Sequence, residues 1–456
     1  MSLIRSIDPW TGAVLKEFSA HSSQEVETYL SLAEQTLSSW RELPILEKAG
    51  LMRRVAGLLL EKKEPLARII SQEVGKVIRE SRAEIEKCAW VCDFYAENAA
   101  SFLTPEEILL PDSKRAQVIY QPLGIILGVM PWNFPFWQVF RFAVPTLLAG
   151  NVALLKHASN VPQSALAIQD IFEAAGFPKG CFQTLLISGA EANTLLADSR
   201  IQAVSLTGSE QAGAAIASTA GKHIKKSLLE LGGSDPFIVL ADADLPKAAA
   251  AAVKSRMINF GQSCIAAKRF IIEEGVYDEF VRLFLENLSA LKFGPPLEES
   301  SDYACMARAD LAAELYAQVS KTVAMGAKVL RGGTAPESNS ARVEPTVLTD
   351  IPVGSPAYQE ELFGPVASIF KVASAAEALA LANATEFGLG ASLWTADLDR
   401  GADLATHLES GAVFLNALVA SHPMLPFGGI KKSGYGRELS KQGILEFVNQ
   451  KTVYLG

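Results

Sequence analysis

The chain has 456 residues, 49% of them apolar and 20% charged, with 41 Lys and Arg against 50 Asp and Glu for a net charge of −9. A chain this long and apolar can bury enough surface to offset its ordering entropy, which excludes a mainly disordered state; at roughly 150 residues per domain it predicts two or three domains. The acidic balance argues against a nucleic-acid binder, which needs a basic face to release counterions. Cysteines at 88, 92, 181, 264 and 305 form no CxxC pair, and histidines at 21, 157, 223, 407 and 422 lack ligand spacing. We therefore expect no disulfide framework, no metal, and a reducing, cytoplasmic setting.

The N-terminal MSLIRSIDPWTG has no long apolar run, so no secretory signal is expected. The first hundred residues read as helical: Ser23 to Trp40, Ile45 to Lys62, Pro65 to Glu80 and Ile85 to Ala100 carry apolar residues three and four apart, with Ser22 or Ser23 as a cap. Ala116 to Leu155 holds one charge, Arg141, and imitates a membrane span, but four prolines and three glycines interrupt it, so buried strands and turns are expected and no membrane partner. From there strands (Gln117–Tyr120, Ile125–Val129, Val152–Leu155, Phe182–Ser188, Ala203–Thr207, Ser227–Leu231) alternate with helices (Pro162–Ala175, Ser209–Ala220). This rhythm predicts an α/β fold with a parallel sheet covered on both faces. Gly232 and Gly233 break the rhythm and mark a domain boundary near 230. A strand Pro236–Leu240 and a helix capped by Asp244 restart it, and Glu446–Leu455 reads as a terminal strand.

Five places can carry chemistry. Cys264 follows the polar turn Asn259–Ser263 and precedes Lys268 and Arg269, two cations able to favour a thiolate; the alternative is a packed core cysteine. Glu230 sits in the apolar LLELGG, where burial raises a carboxyl toward general-base range, unless it is a solvated strand end. Asn133, in the rigid PWNFP turn, can present its amide to an oxyanion or serve ordinary turn chemistry. Gly208-Ser-Glu-Gln-Ala-Gly213 opens a helix after a strand, which suits either phosphate binding or close packing. Lys156 ends a strand at the side where open parallel sheets bind ligands, or is merely solvated.

Together PWNFP, LLKHAS, LTGSEQAG, LELGG, GQSC, EELFGP and PFGGIKKSGYGRE, in that order over 131 to 438, resemble the aldehyde dehydrogenase superfamily, and within it most the bacterial succinate semialdehyde dehydrogenases. The resemblance implies a Rossmann-like cofactor domain (1–103 and 123–230), an α/β catalytic domain (231–425) and a small β oligomerisation extension (104–122 and 445–456) that pairs subunits into a homodimer or homotetramer. It implies Cys264 as nucleophile, Asn133 and the Cys264 N–H as oxyanion donors, and Glu230 as the base for thioester hydrolysis. It also implies Trp132, Lys156, Ser159, Gly208, Ser209, Gly213, Glu361 and Phe363 as cofactor contacts. Ser159 stands where many NAD-specific relatives carry Glu; its neutrality removes a repulsion against a 2′-phosphate, so NADP is expected to be accepted, with NAD also possible. For a substrate with a distal carboxylate, Arg141 matches the family's anchoring Arg and would otherwise be an uncompensated buried charge, unless a salt bridge holds it; Ser421 and, less directly, Arg256 join it. The alternatives are another short-chain aldehyde or semialdehyde, and a non-catalytic relative that keeps the fold.

Overall fold

The computed structural model describes residues 3–111 and 114–455; positions 112, 113 and 456 of the expected extension, and the first two residues, lie outside them. The α/β architecture rests on two mainly parallel sheets. In the first, Phe182–Thr184, Val152–His157, Ile125–Met130, Ile201–Thr207 and Lys226–Glu230 lie side by side and parallel, and the two-residue strand Gly434–Tyr435 closes the edge antiparallel to Lys226–Glu230. Their apolar runs are buried on both faces, as a helix-covered parallel sheet requires. Strand order runs outward in one direction from Ile125–Met130 and in the other from Ile201–Thr207. The chain reversal between these two strands opens a crevice at their C-terminal ends, and Pro131–Asn133 and Gly208–Ser209 emerge there.

The second sheet holds Lys328–Arg331, Thr346–Thr349, Val366–Val372, Arg269–Glu273, Pro236–Val239, Gly390–Trp394 and Ala412–Leu415; only the first is antiparallel to its neighbour. A separate antiparallel sheet joins Val448–Leu455, Arg115–Pro122 and Glu106–Leu109. Among the described residues, no helix is long and apolar enough to cross a membrane.

Three expectations about elements need correction. Leu3–Ile7 and Val14–Ser19 form an antiparallel ribbon ahead of the helices. The helix expected over Pro65 to Glu80 is two: Lys63–Val74 stops at Gly75, whose φ of 75° is left-handed, and Ile78–Phe102 follows. The periodic pattern continues on both sides of that glycine and hides the break. The strand expected over Phe182 to Ser188 ends at Thr184, because Ser188 is the cap of Gly189–Leu195, bonded reciprocally with Glu191.

Two clamps fix the crevice. Glu84, on Ile78–Phe102, accepts hydrogen bonds from the N–H groups of Phe136 (2.8 Å) and Trp137 (3.0 Å), placing a carboxylate at the N-terminus of helix Trp137–Leu148. His157 accepts from the Ala158 N–H at Nδ1, so Nε2 carries the proton donated to the Pro135 carbonyl (2.8 Å); burial pushes this imidazole down to about 4 and keeps it neutral. On the other side, Asn259, Phe260 and Gly261 are all left-handed (φ 47°, 54° and 76°), an arrangement that costs energy at the two non-glycine positions. A Cβ on Gly261 would run into the Gly364 carbonyl. Gly261→Ala should therefore lower stability by about 2 kcal/mol or more and displace the following loop; a melting temperature equal to that of the parent would contradict the packing described.

Candidate active site

A cleft of about 260 Å³ lies at the crevice, and Trp132, Asn133, Gly208, Ser209, Cys264, Glu361 and Phe363 line it. Seven positions picked from sequence thus converge, from segments spread over more than half the chain. Trp132 meets Phe363 edge-on at 5.9 Å. Lys156, Ser159, Gly213, Glu230, Arg141, Arg256 and Ser421 lie outside this lining.

Asn133 is buried, and its amide orientation is fixed from both ends. Its Nδ2 donates to the Gln262 carbonyl (3.0 Å), and its Oδ1 accepts from Gln138 Nε2 (3.0 Å). Among the described residues the second Nδ2 hydrogen makes no hydrogen bond, and Asn133 lines the cleft. Asn259 Nδ2 bridges the Asn133 carbonyl (2.7 Å) and the Gln262 carbonyl (3.1 Å), which ties the strained loop to the PWNFP turn. Arg256, expected near the substrate, belongs to this scaffold instead. Its guanidinium is fully buried and donates to the Gly261 carbonyl (2.7 Å) and the Val366 carbonyl (3.3 Å), so it has no reach into the cleft.

Cys264 is partly exposed. Among the described residues its backbone N–H makes no hydrogen bond. Burial pushes the thiol up to about 12, opposed first by Lys268 and then by Arg141. The expected pair of activating cations therefore does not yield a resting thiolate. Lys268 is committed to Glu361 at 3.0 Å and to the Ser263 carbonyl at 2.8 Å, and Arg269 donates to the carbonyls of Ser234, Leu381 and Ala382. Glu361, facing Lys268, also accepts from the Gly233 N–H (3.1 Å).

Glu230 ends its strand with both carboxyl oxygens buried and, among the described residues, without a hydrogen-bond partner. Burial pushes it up to about 8, with Arg141 opposing and Glu438 reinforcing the shift. Its Oε1 lies 2.8 Å from where a Cβ on Gly428 would stand, and Glu230 is not among the residues that line the cleft. Arg141 is not the uncompensated charge the sequence suggested. It pairs with buried Glu438, donates to Thr207 Oγ1 (3.3 Å) and lies 4.6 Å from the Phe427 ring centre. The salt-bridge alternative is the one realised, and the argument for Arg141 as an anion anchor lapses.

The nucleotide end is mixed. Ser209 caps helix Glu210–Lys222, and a Cβ on Gly208 would meet only Leu206 at 3.6 Å, so a ligand backbone can approach there. Gly213 is a packing glycine, since a Cβ would sit 2.6 Å from Leu231 Cδ2. Lys156 is half-buried, makes no ion pair among the described residues, and has its pKa lowered by desolvation. Ser159 lines a second opening with Asn160, whose buried Nδ2 has no partner among the described residues. An unpaired cation, an open helix N-terminus and an orphaned amide donor fit a phosphate-bearing dinucleotide.

Gln138, missed from sequence, positions Asn133 without standing in a recognisable motif. Gln138→Leu should lower kcat roughly tenfold with little change in KM, because the amide loses its fixed orientation; unchanged kcat would show that Gln262 alone suffices.

The aldehyde dehydrogenase family model matches residues 2–453. The chain is 52% identical over 452 residues, 99% of each protein, to a probable succinate-semialdehyde dehydrogenase [NADP(+)] of Synechocystis sp.. It is 45% identical over 448 residues, 98% of this chain and 94% of the relative, to a succinate-semialdehyde dehydrogenase [NADP(+)] of Deinococcus radiodurans. The solved succinic semialdehyde dehydrogenase of Streptococcus pyogenes, in complex with NADP+, superposes with a TM-score of 0.97 at 36% identity, covering 99% of each chain. With the cleft, the sheets and these matches in agreement along its whole length, the chain belongs to the aldehyde dehydrogenase family.

Proposed function

We propose that this enzyme oxidises succinate semialdehyde to succinate with NADP through a thioester on Cys264. The observation that carries the reading is the meeting, in one cleft, of the Cys264 sulfur, the free Asn133 amide hydrogen and the unbonded Cys264 N–H. The thiolate bonds to the aldehyde carbon as the carbonyl electron pair moves to oxygen, and the two N–H groups hold that oxyanion. A nicotinamide dinucleotide along Gly208 and Ser209, with Trp132, Glu361 and Phe363 at its reactive end, supplies the acceptor for the hydride that leaves this carbon. The thioester left on Cys264 is hydrolysed by water that gives its proton to Glu230, which releases the acid and the thiol. Glu230 reaches that water by rotating from its place over Gly428 toward Cys264. The two groups already feel each other's charge.

The names of the relatives support the substrate. Unpaired Lys156 and neutral Ser159 support NADP, with NAD as the weaker alternative. One observation favours a second reading, oxidation of another short-chain aldehyde: Glu438 already neutralises Arg141. For assembly, the three-stranded sheet supports pairing into a homodimer or homotetramer, since Leu109, Tyr454 and Leu455 stand exposed on it. Five free thiols support a reducing, cytoplasmic setting.

The test is a matrix of kcat/KM values for succinate semialdehyde and butanal with NADP and NAD. Succinate semialdehyde with NADP should be the best pair, and its rate should climb as pH passes about 8, where Glu230 gains its base form. Equal values for the two aldehydes would favour the second reading, and a strong NAD preference would count against the roles of Lys156 and Ser159.

A further inference from the structure

With Arg141 neutralised by Glu438, an acidic substrate needs another cation, and one stands over Trp137, the chain neighbour of the cleft-lining Gln138. Lys87 lies on helix Ile78–Phe102 and is partly buried. Among the described residues it has no carboxylate partner. Glu84, one turn earlier, is already paired with Lys76. The Lys87 ammonium lies 4.2 Å from the centre of the Trp137 ring, and its hydrogen bond goes to Ser421 Oγ at 2.8 Å. Ser421 Oγ also accepts from Trp137 Nε1 at 3.1 Å.

A donor count shows what the cluster lacks. A hydroxyl has two acceptor lone pairs and one hydrogen. At Ser421 both lone pairs are taken, one by Lys87 and one by Trp137, so its hydrogen is left to donate. Lys87 keeps two further N–H groups. The cluster is thus rich in donors, carries a positive charge, and has no acceptor of its own. A carboxylate satisfies all of these groups at once, whereas an uncharged alkyl end satisfies none.

Position agrees with this. Trp137 begins the helix directly after the PWNFP turn that carries Asn133, and the Cys264 sulfur is one of the groups that act on the Lys87 charge. Burial, reinforced by the Arg141 cation, pushes the ammonium down to about 8, so an anion bound there would favour its charged form. Trp90 packs edge-on at 4.5 Å against His422, the residue after Ser421.

We propose that Lys87, together with the Ser421 hydroxyl, holds the distal carboxylate of the semialdehyde and sets the enzyme's preference for acidic over uncharged short aldehydes. This rests on the succinate semialdehyde reading and names the cation that the reading requires.

The experiment compares the parent with Lys87→Met, Lys87→Arg and Ser421→Ala, measuring kcat/KM for succinate semialdehyde and for butanal, and the inhibition constant of succinate. Lys87→Met, close in shape but uncharged, should lower the succinate semialdehyde to butanal ratio about 50-fold and weaken succinate inhibition in parallel, as loss of a charged hydrogen bond predicts. Lys87→Arg should recover most of the ratio, and Ser421→Ala should lower it about fivefold. An unchanged ratio in Lys87→Met, with the parent still preferring the acid, would overturn the anchor alone. A parent with no preference for the acid would overturn the underlying substrate reading and the anchor with it. A fall on both substrates alike in Lys87→Met and Lys87→Arg would assign Lys87 to the scaffold and overturn its place at the carboxylate.

Discussion

The amide of Asn133 is the joint on which the site depends. One of its hydrogens is spent on the Gln262 carbonyl, its oxygen on Gln138, and its own backbone carbonyl on Asn259. Two of these hydrogen bonds, to Gln262 and from Asn259, weld a turn at the end of one sheet to a left-handed loop leading into the other, and the third fixes the amide from the adjoining helix. The weld sets where the remaining Asn133 hydrogen and the Cys264 sulfur stand relative to each other. Everything around it holds it rigid: Glu84 grips the turn from one helix, His157 from the neighbouring strand, and Arg256 braces the loop from beneath. Preorganisation of this kind lets an oxyanion be stabilised without reordering dipoles during the reaction.

The electrostatics hold two acids of the site, Cys264 and Glu230, toward their neutral forms. The Cys264 thiol is pushed up to about 12 and Glu230 up to about 8, each mainly by burial. The resting site is thus largely neutral and the sulfur is guarded. A thiol held in this state becomes a nucleophile only once its proton is removed. The Arg141–Glu438 pair lies behind Glu230 and tunes it from both sides, Arg141 lowering and Glu438 raising its affinity for a proton.

Much of this was legible in the sequence because motif and topology coincide. Apolar runs placed the parallel strands, and the residues just after Ile125–Met130 and Ile201–Thr207 fell at the switch point where such sheets bind ligands. What stayed hidden depends on distant partners. Arg141 reads as an orphan charge until Glu438 is brought beside it. Gly213 reads as a phosphate glycine until Leu231 is seen filling the space above it. Lys87, in the helical run EIEKCAWVC, reads as an ordinary surface charge, and its meaning comes from Ser421, 334 residues away. The ribbon Leu3–Ile7 with Val14–Ser19 is mostly exposed and leaves little apolar alternation to detect.

The most direct measurement is rapid-quench mass spectrometry of Glu230→Gln mixed with succinate semialdehyde and NADP. A covalent thioester formed in this cleft predicts one equivalent of NADPH released in a burst, with a succinyl group retained on the peptide that contains Cys264, because oxidation proceeds and hydrolysis stalls. A burst with the Cys264 peptide unmodified, or an acyl group on any other residue, would contradict the account.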